Sequence, residues 1–204
     1  MSLSQWMFAA AYDLLNSGVE GRLKSYREQT AGRARGDVLE IGGGTGANLA
    51  FYGQDVRLTV AEPNPHMTTR LLRRAARIGI QVKVVPGIGE QLPFPNESFD
   101  SVITTLVLCT VEDLDKVVAE AARVLRPEGV FYFYEHVATN SGLRRRLENA
   151  LNPIWQFATT GCNLNRDIES AIRVAGFSQI DLTAFDLSVG LPVTLPNIVG
   201  AARL

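Results

Sequence analysis

Cysteine is scarce. Cys109 and Cys162 are the only two in 204 residues. Two cannot staple a small secreted scaffold, and neither belongs to a CxxC pair of the kind that holds zinc. A reducing, cytoplasmic setting and no metal site are therefore expected. An excess of charge of one sign is missing too: 20 Lys+Arg stand against 21 Asp+Glu, a formal net charge of -1. Proteins that grip nucleic acid by counterion release carry a basic excess, so no nucleic-acid partner is expected. No run approaches the roughly 18 consecutive apolar residues of a membrane span, so no integral membrane segment is expected. The opening stretch, MSLSQWMFAAAYDLL, contains Gln5, Tyr12 and Asp13 and has no basic leader, unlike a secretory signal. Repeats and low-complexity tracts are absent. What is present, 46% hydrophobic and 20% charged residues, suits one globular domain able to enclose a small-molecule ligand.

The periodicity changes along the chain. Residues 3–30 repeat apolar positions at three- and four-residue steps and read as helix, broken near Asn16-Ser17-Gly18. From Asp37, short apolar runs alternate with amphipathic segments. Strands are expected at Val38–Ile41, Arg57–Ala61, Gln81–Val85, Ser101–Leu106 and Val130–Tyr134. Helices are expected from Asn64-Pro65 to Ile78, ending at Gly79, and from Asp113 to Leu125. This alternation argues for βαβ units and a parallel sheet. Residues 141–175 look helical with an interruption at Gly161-Cys162-Asn163. Ser178–Phe185 and Thr194–Arg203 read as two last strands. Pro192 and Pro196 mark the final one as an edge or irregular strand.

The most informative segment is Glu40-Ile41-Gly42-Gly43-Gly44-Thr45-Gly46-Ala47-Asn48. A strand feeds a glycine turn that is expected to open a helix, with free N–H groups facing a ligand. As GxGxxA, Gly42, Gly44 and Ala47 fit a dinucleotide fingerprint. As ExGxGxG, Glu40, Gly42, Gly44 and Gly46 fit a nucleoside cofactor carrying an amino acid. Glu62, 20 residues after Gly42, suits ribose hydroxyls in either case. Glu40 tips the balance, because a carboxylate there repels a pyrophosphate but not a cationic amino group.

The segments VLEIGGGTG, VAEPNPHM, GIGEQLPFPNESFDSVI and RVLRPEGVFYFYEH resemble class I S-adenosylmethionine (SAM) methyltransferases. GTGANLAFY, TTLVLCTVED, FYFYEHVA, LNPIWQF and TGCNLNRD extend the likeness, over residues 44–168, to the alkyl-thiol S-methyltransferases. No counterpart of the long apolar anchor of that family's animal members is expected. The resemblance implies a Rossmann-like α/β fold: a mostly parallel seven-stranded sheet, an antiparallel C-terminal strand and a helical cap. It implies one domain over 1–204, with a lid at 1–35, a cofactor core at 36–137, and a cap with the final strands at 138–204. It also implies SAM as cofactor and S-methylation of a small thiol, of the kind met in natural-product or xenobiotic metabolism. The rival readings are C-, O- or N-methylation of a quinone precursor, phenol or amine, and NAD-dependent oxidation.

Placed by the resemblance, Gly42, Gly44 and Gly46 approach the methionine portion with Asn48 beside them, and Glu40 lies near its amino group. Glu62 holds the ribose, and Pro63 and Met67 flank the adenine or ribose. Family members often carry an acid where this chain has Ile88, so Ile88, Gly89 or Glu90 must meet the adenine amino group. Thr105 and Leu106 face the sulfonium, and Tyr12 closes as a lid. His136, after the fifth strand, is the candidate base or substrate-orienting group; its plain alternative is a strand cap. Cys162, Asn163 and Arg166 are candidate substrate-side residues. Helix capping by Asn163 or Asn165 is the alternative for that stretch, and Cys109 reads as a small buried hydrophobe. Arg144, Arg145 and Arg146 read as one solvated helix face.

Overall fold

The computed structural model describes residues 20–139, 142–159, 161–188 and 194–204. Tyr12 lies outside them. The first helix, α1 (Glu20–Gln29), leads through a short 3-10 turn into β1 (Asp37–Ile41) and β2 (Arg57–Ala61). Then follow α2 (Pro65–Ile78), β3 (Val82–Val85), β4 (Phe99–Thr105), α3 (Leu114–Val124) and β5 (Leu125–His136). The chain ends with α4 (Gly142–Thr159), α5 (Ile168–Val174), β6 (Gln179–Ser188) and β7 (Thr194–Arg203). The strands form one sheet in the order β3-β2-β1-β4-β5-β7-β6. It is parallel from β3 to β5, and β7 runs antiparallel to both neighbours.

Alternation along each strand builds two cores, one per face. Val38, Val60 and Ile103 pack with Leu71 and Ala75 of α2. Leu39, Ile41, Val102 and Phe131 face the other way, onto Val117 and Ala121 of α3 and Ile168 of α5. Local chemistry sets the helix ends. The Asn64 side chain accepts the His66 N–H, Pro65 opens α2, and Gly79 closes it at φ 75. The Asp113 side chain accepts the Lys116 N–H at the start of α3.

Four expectations are corrected. The glycine turn does not open an α-helix. It continues through i→i+3 bonds, Gly46 N–H to Gly43 O, Leu49 to Gly46 and Phe51 to Asn48, ending in a 3-10 turn at Leu49–Phe51. The final strand is not an edge: β7 lies between β5 and β6, and β6 is the edge. Pro196 is tolerated because it lies past the end of β5, where its carbonyl accepts the Val137 N–H at 2.9 Å. β5 begins at Leu125 and absorbs the turn at Pro127–Gly129, with Glu128 at φ 67 and a register shift against β4. His136 is therefore the last residue of β5. Leu106, conversely, falls just outside β4.

Arg144 does more than cover a solvated face, because it ties α4 to the sheet. It reaches Glu148 at 3.6 Å, Asp186 at 3.5 Å and the Thr194 carbonyl at 2.5 Å. The outer side of α4 exposes Leu143, Leu147, Ile154 and Phe157. No helix among the described residues is long and apolar enough to cross a membrane.

Candidate active site

Strands β2 and β4 lie on opposite sides of β1, so the connections leave the sheet in opposite directions and open a crevice at the carboxyl ends of β1 and β4. The glycine turn sits there. Gly42 has φ +67, and a Cβ on it would lie 2.7 Å from Val107 Cγ2. Gly46 has φ +81, and its Cβ would lie 2.6 Å from Leu49 Cδ1. Both positions therefore demand glycine. Glu62, at the end of β2, locks the turn. It accepts the Gly44 N–H at 2.8 Å and the Asn64 N–H at 2.9 Å. Burial raises its carboxyl pKa, opposed by those two donors.

Glu40 is the hub beneath the turn. It is buried and accepts from Tyr52 OH at 2.9 Å and Asn48 Nδ2 at 2.8 Å. Asn48 Nδ2 also reaches Thr105 Oγ1 at 3.1 Å, and its Oδ1 accepts from Arg27 Nη1 at 2.5 Å. Asn48 thus joins α1, β1 and the end of β4, with its amide engaged by protein on both ends. Burial raises the Glu40 pKa, while Tyr52, Asn48 and the Arg27 charge pull it down.

At the end of β4 the backbone is strained. Leu106 holds φ 56, uncommon for a residue with a Cβ, and donates its N–H to the Tyr134 carbonyl at 2.8 Å. This aims the Val107 and Leu108 N–H groups at Glu135, at 3.2 and 3.0 Å. Glu135 is fully buried, and desolvation pushes its pKa up to about 8 against those two donors. A raised carboxyl pKa means that the folded state holds a proton the unfolded chain releases from pH ~4.5 upward. Its contribution to stability is complete below that pH and is lost as pH rises toward 8. Cys162, with its lowered pKa, acts in the opposite direction, so the difference between variants is the clean readout. Wild type is expected to lose stability relative to Glu135→Gln by several kcal/mol between pH 5 and 8, at about 1.4 kcal/mol for each pH unit over which the folded state keeps the proton. Urea midpoints of both proteins across that range check it, and parallel curves would refute it.

His136 and the two cysteines meet beside this turn. His136 Nδ1 lies 3.8 Å from Cys162 Sγ, and its buried Nε2 has no partner among the described residues. The Cys109 and Cys162 thiols act on each other, the Cys109 pKa being raised and the Cys162 pKa lowered. Asn163 holds them together. Its backbone N–H and its Nδ2 both donate to the Cys109 carbonyl, at 2.8 and 2.9 Å. Arg166 Nη1 donates to the Leu108 carbonyl at 3.0 Å. Asn163 and Arg166 therefore brace the loop, and the N-cap of α5 is Asp167, not Asn163 or Asn165.

Other candidates divide. Met67 is buried in α2, and Pro63 and Ile88 are exposed near the strand ends. Gly89 packs tightly, since a Cβ on it would lie 3.0–3.1 Å from Val117 and Ile41. Glu90 turns away, accepting the Glu112 and Asp113 N–H groups before α3 at 2.9 and 3.3 Å. Three residues at the site are not anticipated by the sequence reading: Arg27, Tyr134 and Glu135. An acid inside the apolar run FYFYEH is a usable signal for Glu135. Arg27 carries none. Tyr134 stacks with Tyr26 and, more distantly, Phe185, with ring centroids 5.1 and 6.1 Å away.

Among the described residues, three buried polar atoms at this edge have no hydrogen-bond partner: Arg27 Nε, Tyr134 OH and His136 Nε2. Each costs about 1–3 kcal/mol if left unsatisfied. Their grouping at the strand ends, beside a glycine turn that presents main chain, fits a polar ligand such as a nucleoside with an amino-acid tail.

Comparison with known proteins agrees with this geometry. Residues 39–133 match the family described as methyltransferase domain. The chain is 36% identical over 169 residues to human thiol S-methyltransferase TMT1A, covering 81% of this chain and 69% of that protein. It is 38% identical over 170 residues to human thiol S-methyltransferase TMT1B, with the same coverage. Among solved structures, the YcgJ protein from Bacillus subtilis superposes with a TM-score of 0.72 at 18% identity, covering 89% of this chain and 98% of that one.

Proposed function

The chain belongs to the thiol S-methyltransferase family of class I methyltransferases, and from that premise we propose that it methylates the sulfur of a small thiol, with SAM as donor. The donor, when bound, would supply a methyl group on a sulfonium, whose carbon a thiolate attacks in line, with S-adenosylhomocysteine as the leaving group. The residues that would hold it are the main chain of Gly42, Gly44 and Gly46, the Glu62 carboxylate for the ribose hydroxyls, Pro63 and Met67 beside the adenine, and Ile88 with Gly89. Thr105 and Leu106 would line the sulfonium end.

The single observation that carries the acceptor reading is His136 Nε2, buried and without a partner among the described residues at the carboxyl end of β5. Cys109 first and then His136 pull the Cys162 pKa down to about 5, which favours its thiolate form at neutral pH. The thiolate accepts from Nδ1–H and fixes the tautomer that leaves Nε2 as a proton acceptor. Nε2 then takes the proton of an incoming thiol. A thiol of pKa ~8.5 needs only this modest help, whereas an aliphatic hydroxyl needs far more.

The test is turnover. Purified full-length protein with SAM and a panel of small thiols, phenols and amines is expected to give thioether and S-adenosylhomocysteine in equal amounts from thiols. Turnover on phenols or amines with none on thiols would overturn the acceptor assignment and leave the methyltransferase family membership intact.

A further inference from the structure

Among the described residues, the Cys162 sulfur that orients His136 has a second cysteine near it, Cys109, which methyl transfer does not use. Cys109 is buried in the turn after β4, and Cys162 is partly accessible on the loop before α5. They are far apart in the chain, yet the Asn163 N–H, one residue after Cys162, donates to the Cys109 carbonyl at 2.8 Å, and each thiol shifts the pKa of the other. The contact is built, not incidental. Asn163 clamps the Cys109 carbonyl with two donors, and Arg166 clamps that of Leu108. The Ala138 N–H fixes the Arg166 carbonyl at 2.9 Å. Gly161, at φ +111, permits the bend that brings the loop over Thr110, and its N–H donates to the Gln156 carbonyl at 2.8 Å. His136, 3% exposed, places Nδ1 against the partly accessible sulfur and has no partner at Nε2 among the described residues.

We propose that Cys109 and Cys162 form a dithiol centre that exchanges with small disulfides, Cys162 attacking and Cys109 resolving. The Cys162 thiolate attacks one sulfur of R–S–S–R, forming a Cys162–S–S–R bond and releasing R–S⁻. The Cys109 thiol then attacks the Cys162 sulfur, expels the second R–S⁻ and passes its proton to a released thiolate. The net change is one Cys109–Cys162 disulfide formed, one R–S–S–R bond broken, and one RSH with one RS⁻ released. The protein is oxidised by two electrons and the small disulfide is reduced.

The asymmetry of the pair suits these roles. The attacking sulfur is partly accessible and its pKa is lowered toward the thiolate, whereas the resolving one is buried and its pKa is raised by its partner and by desolvation. A stabilised thiolate is a good leaving group, so the resulting disulfide is labile and an excess of small thiol reverses it. Oxidation also removes the thiolate that orients His136, so methyl transfer stops while the bond persists. Thiol acceptors, by reducing it, would restore the enzyme that consumes them.

The probe is dithiobis(nitrobenzoate), added to reduced full-length protein under native conditions. Two equivalents of nitrothiobenzoate are expected per chain. The product should be lighter by two hydrogens, carry no adduct, and yield a cross-linked peptide containing positions 109 and 162. At pH 6 the first release should run about tenfold faster than for a peptide cysteine. The larger thiolate fraction outweighs the lower intrinsic nucleophilicity of a low-pKa sulfur. Cys109→Ser should release one equivalent and keep the adduct on Cys162. A wild-type product bearing one or two retained adducts, or no reaction before unfolding, would overturn the proposal. These readouts need no turnover, so failure here is separable from failure of the methyltransferase reading.

Discussion

Replacing His136 by asparagine is expected to lower kcat/KM for an aliphatic thiol about thirtyfold at pH 7. It should lower that for a heteroaromatic thiol with a pKa near 5 no more than about twofold. Asparagine keeps a donor toward Cys162, 3.8 Å from the native Nδ1, but has nothing where Nε2 stood. The ceiling comes from the acceptor. A thiol of pKa about 8.5 is only ~3% ionised at pH 7, so a perfectly placed base gains about thirtyfold over free ionisation. A thiol already ionised has nothing to gain. The defect should accordingly fade as pH rises toward 9. Equal losses for both thiols, unchanged by pH, would mean that His136 shapes the pocket and does not move a proton.

The frame around that residue is legible in the sequence because its determinants are local. Asn64-Pro65 and Gly79 bracket α2 by capping chemistry that three or four residues complete. β1 reads as a buried strand because both faces of the sheet are covered, and Gly42 announces a position that no Cβ fits. The corrections fall where a distant partner decides. The segment after the glycine turn forms 3-10 bonds while the Asn48 and Tyr52 side chains reach Glu40. β7 is interior because β6 pairs outside it, which no property of Thr194–Arg203 reveals.

The site divides in the same way. His136 is legible as a histidine at a strand end. Cys109, taken alone, is a small hydrophobe, and Cys162 is a loop residue. Their meaning lies in a contact between the turn after β4 and the loop before α5, made by Asn163 and Arg166. A low cysteine count points to sulfur chemistry confined to cofactor and substrate. The pairing of the two cysteines shifts part of that chemistry onto the protein.

Glu40→Leu is expected to be among the most damaging single substitutions, costing about 3–5 kcal/mol. Glu40 and Arg27 are each 3% exposed, and Asn48 links them. Leucine removes the acceptor for Tyr52 and Asn48 and leaves the Arg27 guanidinium buried without an anion. Glu40→Gln keeps the shape and one acceptor, so it should cost about 1–3 kcal/mol. Because both Glu40 oxygens already accept from protein donors, the damage should fall on folding more than on the cofactor. Urea midpoints of the apo protein should drop in the order wild type, Gln, Leu. Calorimetric SAM titration of the Gln variant, run well below its unfolding transition, should give a Kd close to wild type. A Gln variant with an unchanged midpoint but a Kd weakened tenfold or more would reverse the assignment. It would make Glu40 a direct ligand of the cofactor's amino group, as the family resemblance implies, and the Tyr52 and Asn48 bonds a consequence of a carboxylate placed there for binding.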